Sequence, residues 1–312
     1  MALNLHLLRL FASVVEHDGF TAAARAVHVS QPAISRAVRD LEAQLGVPLL
    51  VRGGGRGVKL TAAGETLYGH ARGVFASERA AEDALAALRG VERGRLRVGA
   101  SFNIATYALP PVIEAFVARH PGVDLTLSAL HTRDLAEMLV AFDLDVAIAE
   151  TPVADARIDA RHWRWDDMVV IAAPGHPLAG RRRVPPDALS RERFVLREPE
   201  SATRDMVIAG LRAAGVVPER TMSVDTSEAI KQLVAAGCGI GVVSRAAVAE
   251  QVALRRIVVL DVAGLTIRRS FSQLLLRAHQ PSTAAATFNA VLLEHADGPR
   301  VVGKNGGSVR SA

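Results

Sequence analysis

Residues 28–46, HVSQPAISRAVRDLEAQLG, decide how the rest of the chain is read. Ile34, Val38, Leu41 and Leu45 recur at spacings of four, three and four, the period of one face of an α-helix. Ser30 suits the N-cap, Pro32 falls in the first turn where a missing N–H costs nothing, and Gly46 suits the stop. Burying the apolar stripe leaves Gln31, Pro32, Ser35, Arg36 and Arg39 in water. A helix of this length fits the major groove of DNA. There Gln pairs with adenine and Arg with guanine, Ser reaches a phosphate or a base edge, and Pro touches a thymine methyl. The duller reading is a solvated face, with Arg39 paired to Asp40 or Glu42 along the helix.

The flanking segments favour the DNA reading. Leu7, Leu8, Phe11, Val14 and Val15 mark a first helix from about Asn4 to His17, closed by Asp18-Gly19. This start carries no basic cluster and Arg9 interrupts its apolar run, so it is read as a folded helix and not as a secretion signal. Thr21 reads as the N-cap of a second helix over AAARAV. Downstream, VPLLVR and GVKL flank the tip GGGRG as a hairpin. That hairpin carries Arg52, Arg56 and Lys59 beside the third helix, where they can follow a phosphate backbone or enter a minor groove. From Arg25 to Lys59 six cations stand against Asp40 and Glu42, a local +4 within a chain of +5. The total says less than the placement, since arginine bias can reflect genomic base composition alone.

Thr61 reads as the cap of a long helix ending near Gly90. Leu67, Val74, Ala81 and Leu88 fall every seven residues, with Ala71 and Leu85 between them and Glu78 on the same stripe. The period predicts a dimerising coiled-coil seam; the alternative is an amphipathic helix packed on its own domain. After VERGR the pattern turns to strands (RLRVGA, VDLTLSAL, LDVAIAE, DMVVIAA, RFVLRE, MSVD, GIGVVS) alternating with helices near 104–119, 132–142, 201–215 and 226–237. This alternation predicts mostly parallel sheet, and about 200 residues of it predict two lobes instead of one sheet. The last residues, DGPRVVGKNGGSVRSA, read as a loose tail.

FTAAARAVHVSQPAISRAVRDLEAQLGVPLLVR…VKLTAAG resembles the N-terminal domain of the LysR-type transcriptional regulators over residues 4 to about 64. GHPLA at 175–179 and LVAAGCGIGVVS at 233–244 resemble segments of that family's second lobe. ASFNIATYALPPVIEAFVARHPGV is similar to the branch tied to sulfur or carbon-dioxide-fixation genes. The resemblance implies a winged helix-turn-helix domain over 1–62, a linker and dimerisation helix over 63–90, and a two-lobed α/β effector domain over 91–295. That domain is like a type II periplasmic binding protein, with lobe I at about 91–161 and 267–295, lobe II at about 162–266, and a flexible tail over 296–312. It implies partners too: double-stranded DNA at promoter sites with dyad symmetry, a small-molecule effector, and further copies of the chain in a homodimer or homotetramer. One departure lies in the wing, where Leu50, Val51 and Gly53 replace the family's usual aromatic, acidic and hydroxyl residues.

Ligands of open α/β sheets bind beyond the carboxyl ends of strands, where helix N-termini point. Ser101, Thr132, Thr203 and Ser227 sit at four such junctions, each offering a hydroxyl, free N–H groups and the positive end of a helix dipole. The set suits a small anion or carboxylate, although Ser and Thr also serve as plain caps. Glu150 can meet a donor-bearing effector or a neighbouring Arg, and Arg197 and Arg204 can complement an anion. The resemblance places the effector pocket between the lobes.

Other chemistries find little support. The glycines of GCGIGV follow a helix and precede a strand, the reverse of a dinucleotide fingerprint. The ten histidines form no metal-ligand pattern, no nucleophile elbow is present, and no catalytic residue or cofactor is expected. The single cysteine, Cys238, reads as a small buried residue and suits a reducing, cytoplasmic setting. No apolar run reaches the ~20 residues of a membrane span. The expectation is a regulator and not an enzyme; the alternative is a cytoplasmic small-molecule-binding protein or enzyme on the same two-lobed fold.

Overall fold

The structure is a computed structural model that describes residues 3–51, 57–88, 94–277 and 279–297, with only the backbone of 87 and 88. It divides into two compact units, residues 1–93 with 140–143 and 278–283, and the remainder.

The first unit is helical. Helices α1 (Leu5–Glu16), α2 (Phe20–Ala26) and α3 (Gln31–Leu45) enclose a core of Leu8, Phe11, Val14, Ala23, Ile34, Val38 and Leu41, the apolar stripe that the spacing predicts. Asn4 caps α1 through the N–H groups of His6 and Leu7. Ser30 caps α3 by accepting from the Ala33 N–H at 3.3 Å, and Gly46 ends it in the left-handed region at φ +73°. Thr21 is not a cap: Gly19 holds that position, Phe20 opens α2, and Thr21 lies exposed inside the first turn. Asp18 turns at φ +48°, which lets α2 begin directly behind Gly19. The hairpin narrows to the Leu50–Leu60 bridge and a Val51 N–H donated to the Lys59 carbonyl at 2.8 Å; its tip, 52–56, lies outside the described residues.

Thr61 does cap α4 (Ala62–Leu88), accepting from the Gly64 N–H at 3.0 Å while its hydroxyl donates to the Pro48 carbonyl at 2.7 Å. The sevenfold stripe splits along this helix. Leu67, Ala71 and Phe75 pack into the three-helix core, whereas Val74 and Leu85 remain 39% and 58% exposed. Glu78 pairs with Arg9 of α1.

The second unit holds a mixed sheet of nine strands among the described residues. The first half runs β1 (Gly94–Ser101), a π-helical turn (Ile104–Ala108), α5 (Pro110–Arg119), β2 (Val123–Leu130), α6 (Thr132–Val140) and β3 (Val146–Ala149). Then β4 (Ile158–Ala172) crosses to α7 (Asp187–Ser190), β5 (Arg193–Arg197), α8 (Ala202–Ala213), β6 (Arg220–Val224), α9 (Ser227–Ala235) and β7 (Ile240–Ser244). A 3-10 turn (Ala246–Val248), α10 (Ala249–Ala253) and β8 (Val258–Val259) lead to β9 (Ile267–Leu276), which crosses back, and to α11 (Thr283–Glu294). The hydrogen-bonded order is β2-β1-β3-β9-β4-β7-β5-β6, with β8 on β4.

Two lobes are therefore present, but not two sheets. Each lobe is parallel, β2-β1-β3 in one and β6-β5-β7 in the other, and the two long antiparallel strands β4 and β9 join them. Lobe I closes on Leu96, Val98, Phe116, Ile148, Phe271 and Phe288. Lobe II buries Phe194, Val207, Leu211 and Ile240 on one face of its sheet and Val195, Ile230 and Val234 on the other. A register shift between His162 and Arg164 turns Trp163 into the lobe I core, where its indole N–H reaches the Leu292 carbonyl at 2.8 Å. Where β4 and β9 pass between lobes, Asp166-Asp167 lie opposite Arg269-Arg268 in register.

Gly237, at φ +82°, ends α9. At Gly239 a Cβ would sit 2.2 Å from the Arg193 carbonyl oxygen, so these glycines serve helix closure and tight packing. Cys238 beside them is half-buried, less enclosed than expected.

Candidate nucleic-acid and effector sites

On α3 the apolar stripe faces inward, and Gln31, Pro32, Arg36 and Arg39 are exposed with Ser35 half-exposed. Arg36 is 82% exposed, with Asp40 only at 3.8 Å, and Arg39 donates from Nε to the Ser35 carbonyl at 3.4 Å. Asp40 thus pairs with Arg36 and not with Arg39. Glu42 is engaged at the hairpin, where its Oε1 accepts from the Leu49 and Leu50 N–H groups at 2.7 and 3.2 Å and ties the base of that hairpin to α3. Asp18 accepts from the Val58 N–H at 2.7 Å. Lys59 is exposed on this hairpin; Arg52 and Arg56 lie outside the described residues. A helix end with no buried cation and a full row of exposed donors is chemically able to read base edges and phosphates.

In the second unit three of the four junction hydroxyls, those of Ser101, Thr132 and Thr203, make hydrogen bonds beyond their own helix. Ser101 ends β1, 3% exposed, and its Oγ accepts from the Glu150 N–H at 3.2 Å. Thr132 opens α6 and accepts from the Thr151 hydroxyl at 2.8 Å. Thr203 is the second residue of α8, one beyond Ala202, and Ser227 is the first of α9, behind the true cap Thr226. Glu150 meets an arginine, as one of its two sequence readings allowed: Arg269 donates to its Oε2 at 2.8 Å and Asn103 at 3.1 Å. Of the two arginines offered for an anion, Arg197 is committed to Glu198, and Arg204 spans the Arg197 carbonyl and Ser223. The Arg197 ion pair and hydrogen bond hold the Glu198 carboxyl below its usual range although burial alone would raise it.

Sequence reasoning missed Arg269 and Asp166. Arg269 is 5% exposed on β9, at the crossing of the lobes, and its Nε donates to Asp166 Oδ2 at 2.8 Å while Nη1 donates to Thr203 Oγ1 at 3.1 Å. Ser244 donates to the other oxygen of Asp166 at 2.6 Å. A signal was present: along IRRSFSQ the inward positions are Ile267, Arg269, Phe271 and Gln273, so an arginine stands where a strand buries its apolar face.

A second cluster ties lobe to lobe. Lys231 of α9, 2% exposed, spends its three protons on Glu228 at 2.7 Å, the Ala247 carbonyl at 2.9 Å and the hydroxyl of Tyr107, from the π-helical turn of lobe I, at 3.0 Å. Burial pushes this amine down, but the bonds to Glu228 and Tyr107 outweigh it and hold its pKa above the ordinary value. Removing the hydroxyl in Y107F strands one Lys231 proton. The expected loss is about 1–2 kcal/mol of stability in denaturant unfolding, and an unchanged midpoint would show that water replaces the tyrosine.

Among the described residues, no group of three or more His, Cys, Asp or Glu could hold a metal ion, and no helix is long and apolar enough to cross a membrane.

The chain matches the description "Bacterial regulatory helix-turn-helix protein, lysR family" over residues 5–65 and "LysR substrate binding domain" over 89–297. It is 35% identical over 296 residues to a RuBisCO operon transcriptional regulator of Allochromatium vinosum, covering 95% of this chain and 97% of that one. Full-length CbnR complexed with its target DNA is similar at TM-score 0.62 and 25% identity, covering 94% of this chain and 100% of that one. The Synechocystis PCC6803 CcmR regulatory domain in complex with 2-PG is similar at TM-score 0.59 and 28% identity, covering 65% of this chain and 97% of that one. The helical head and the two-lobed unit thus match in one order along one polypeptide, with relatives that are regulators and not enzymes, and the chain belongs to the LysR family of bacterial helix-turn-helix proteins.

Proposed function

We propose that the protein is a transcriptional regulator that inserts α3 into the major groove of promoter DNA and answers to a small, anionic effector held between lobes I and II. The exposed row Gln31, Pro32, Ser35, Arg36 and Arg39 carries the first half of this reading. Ser30 supports it as the cap that aims the row, Thr21 as an exposed hydroxyl on α2, and Arg52 and Arg56 as wing cations. Ser101, Thr132, Glu150, Thr203 and Ser227 carry the second half, by their place at strand ends of the two lobes. The DNA-bound CbnR and 2-PG-bound CcmR support both. The exposed Val74 and Leu85 on α4 support self-association through that helix, as a dimer or tetramer facing dyad-symmetric sites. The RuBisCO operon relative supports a place in the branch tied to carbon-dioxide fixation, and such a regulator works in the cytoplasm beside the chromosome.

A gel shift with DNA from upstream of the protein's own gene tests the reading. Sequence-specific retardation that weakens steeply with salt is expected, and no retarded band at low salt would end it. Arg36→Ala is expected to cost about 1–3 kcal/mol on the specific fragment and little on unrelated DNA. An equal loss on both would move Arg36 from the bases to the phosphates.

A further inference from the structure

The polar network at the crossing of the lobes is short of acceptors. Arg269 commits Nε to Asp166 and Nη1 to Glu150 and Thr203, but its Nη2 is buried and has no partner. A guanidinium stays charged at any pH a protein survives, so the two Nη2 protons always want an acceptor. The neighbouring hydroxyls repeat the pattern. Ser101 Oγ accepts from Glu150 and Thr203 Oγ1 accepts from Arg269, and each keeps its own proton to give. These three side chains form one connected network through Glu150, and each is more than nine-tenths buried. Unspent donors gathered in an enclosed place match an oxyanion, which accepts and does not donate.

Charge then selects among oxyanions. Glu150 and Asp166 outnumber Arg269 by one, and in a buried setting that excess is poorly screened. A phosphate dianion would meet it with two charges, whereas a carboxylate brings one charge and two acceptor oxygens. We propose that Arg269 Nη2, with the hydroxyl protons of Ser101 and Thr203, anchors a carboxylate of the effector, and that Glu150 sets the strength of that anchor. The inference rests on the reading of the cleft as the effector site and adds the anchoring residue and the group it takes. Ser101 ends a lobe I strand, Thr203 opens a lobe II helix and Arg269 lies on β9 between the two cores, so one carboxylate at this point engages both lobes.

The test uses the full-length protein with a panel of two- to six-carbon monocarboxylates, their primary amides and inorganic phosphate, read by thermal shift and titration calorimetry. At least one carboxylate is expected to raise the Tm of the wild type, with its amide and phosphate inert. Arg269→Lys keeps the charge without the fork and is expected to weaken that carboxylate by about tenfold or more. Thr203→Val weakens it less. Glu150→Gln removes a repelling charge and is expected to tighten it by about tenfold, whereas a purely structural role for Glu150 would loosen it. Should R269K fail to fold, E150Q and T203V decide alone. The proposal is overturned if the amide matches its acid, if R269K binds unchanged, if E150Q loosens binding, or if no carboxylate of the panel binds. The effector reading survives those results whenever phosphate or another compound binds the wild type and changes its promoter affinity; it falls only when no bound compound does.

Discussion

Arg269→Met is expected to cost the two-lobed unit about 3–5 kcal/mol, because it strands two buried carboxylates at one stroke. Asp166 is 4% exposed in its side chain and Glu150 14%, so neither can recover its hydration by turning outward. The hydroxyl of Ser244 and the amide of Asn103 remain as donors to them, but neither brings a positive charge. Methionine fills much of the space left beside Phe271, so the loss is electrostatic and not a cavity. Adding D166N and E150Q to R269M removes the stranded charges and is expected to return more than half of the loss. Urea unfolding of the three proteins measures this. A loss under about 1 kcal/mol in the single variant would mean that water already carries both carboxylates.

Gly64→Ala is the counterpart in the helical unit, with an expected loss of about 3 kcal/mol. A Cβ at this position of α4 would lie 2.1 Å from the Leu49 carbonyl oxygen and 3.0 Å from Leu60 Cδ2. The carbonyl cannot simply step aside. It accepts from the Thr61 N–H at 3.0 Å, and the Leu49 N–H is held by Glu42 at 2.7 Å. One methyl therefore pushes the base of the hairpin away from α4 against the grip of α3. Thermal unfolding of the variant measures the cost, and the gel shift reports whether the wing has left its place. A wild-type Tm would show that this segment yields freely.

The helical unit was legible because its elements are spelled locally. The 3.6-residue period, Ser30, Pro32 and Gly46 act within a few residues of one another, and α3 follows from them. Thr21 misled for the same local reason: a hydroxyl before an alanine run looks like a cap, but the left-handed Asp18 had already turned the chain for Phe20. The parallel strands of lobe II were legible as short apolar runs, since both faces of its sheet are covered. The crossing strands were not. Their inward positions include Asp166 and Arg269, which satisfy each other only after two segments a hundred residues apart are laid side by side. In one dimension Asp166 looks like an ordinary surface charge, and Arg269 differs from one only by its register with Ile267 and Phe271. The junction hydroxyls were found by position, but the arginine that links Thr203 to Glu150 belongs to the partner strand, and its one local sign is its place among the inward positions of IRRSFSQ.

The return of β9 and α11 to lobe I sets an order of birth for the two halves of the unit. Phe271, Phe288 and Leu292 complete the interior of a lobe whose first strand is Gly94–Ser101, so that lobe stays unfinished until residue 292 has left the ribosome. Lobe II, apart from Ile267, is drawn from one unbroken stretch of chain and can close while its elder neighbour still waits for its last helix.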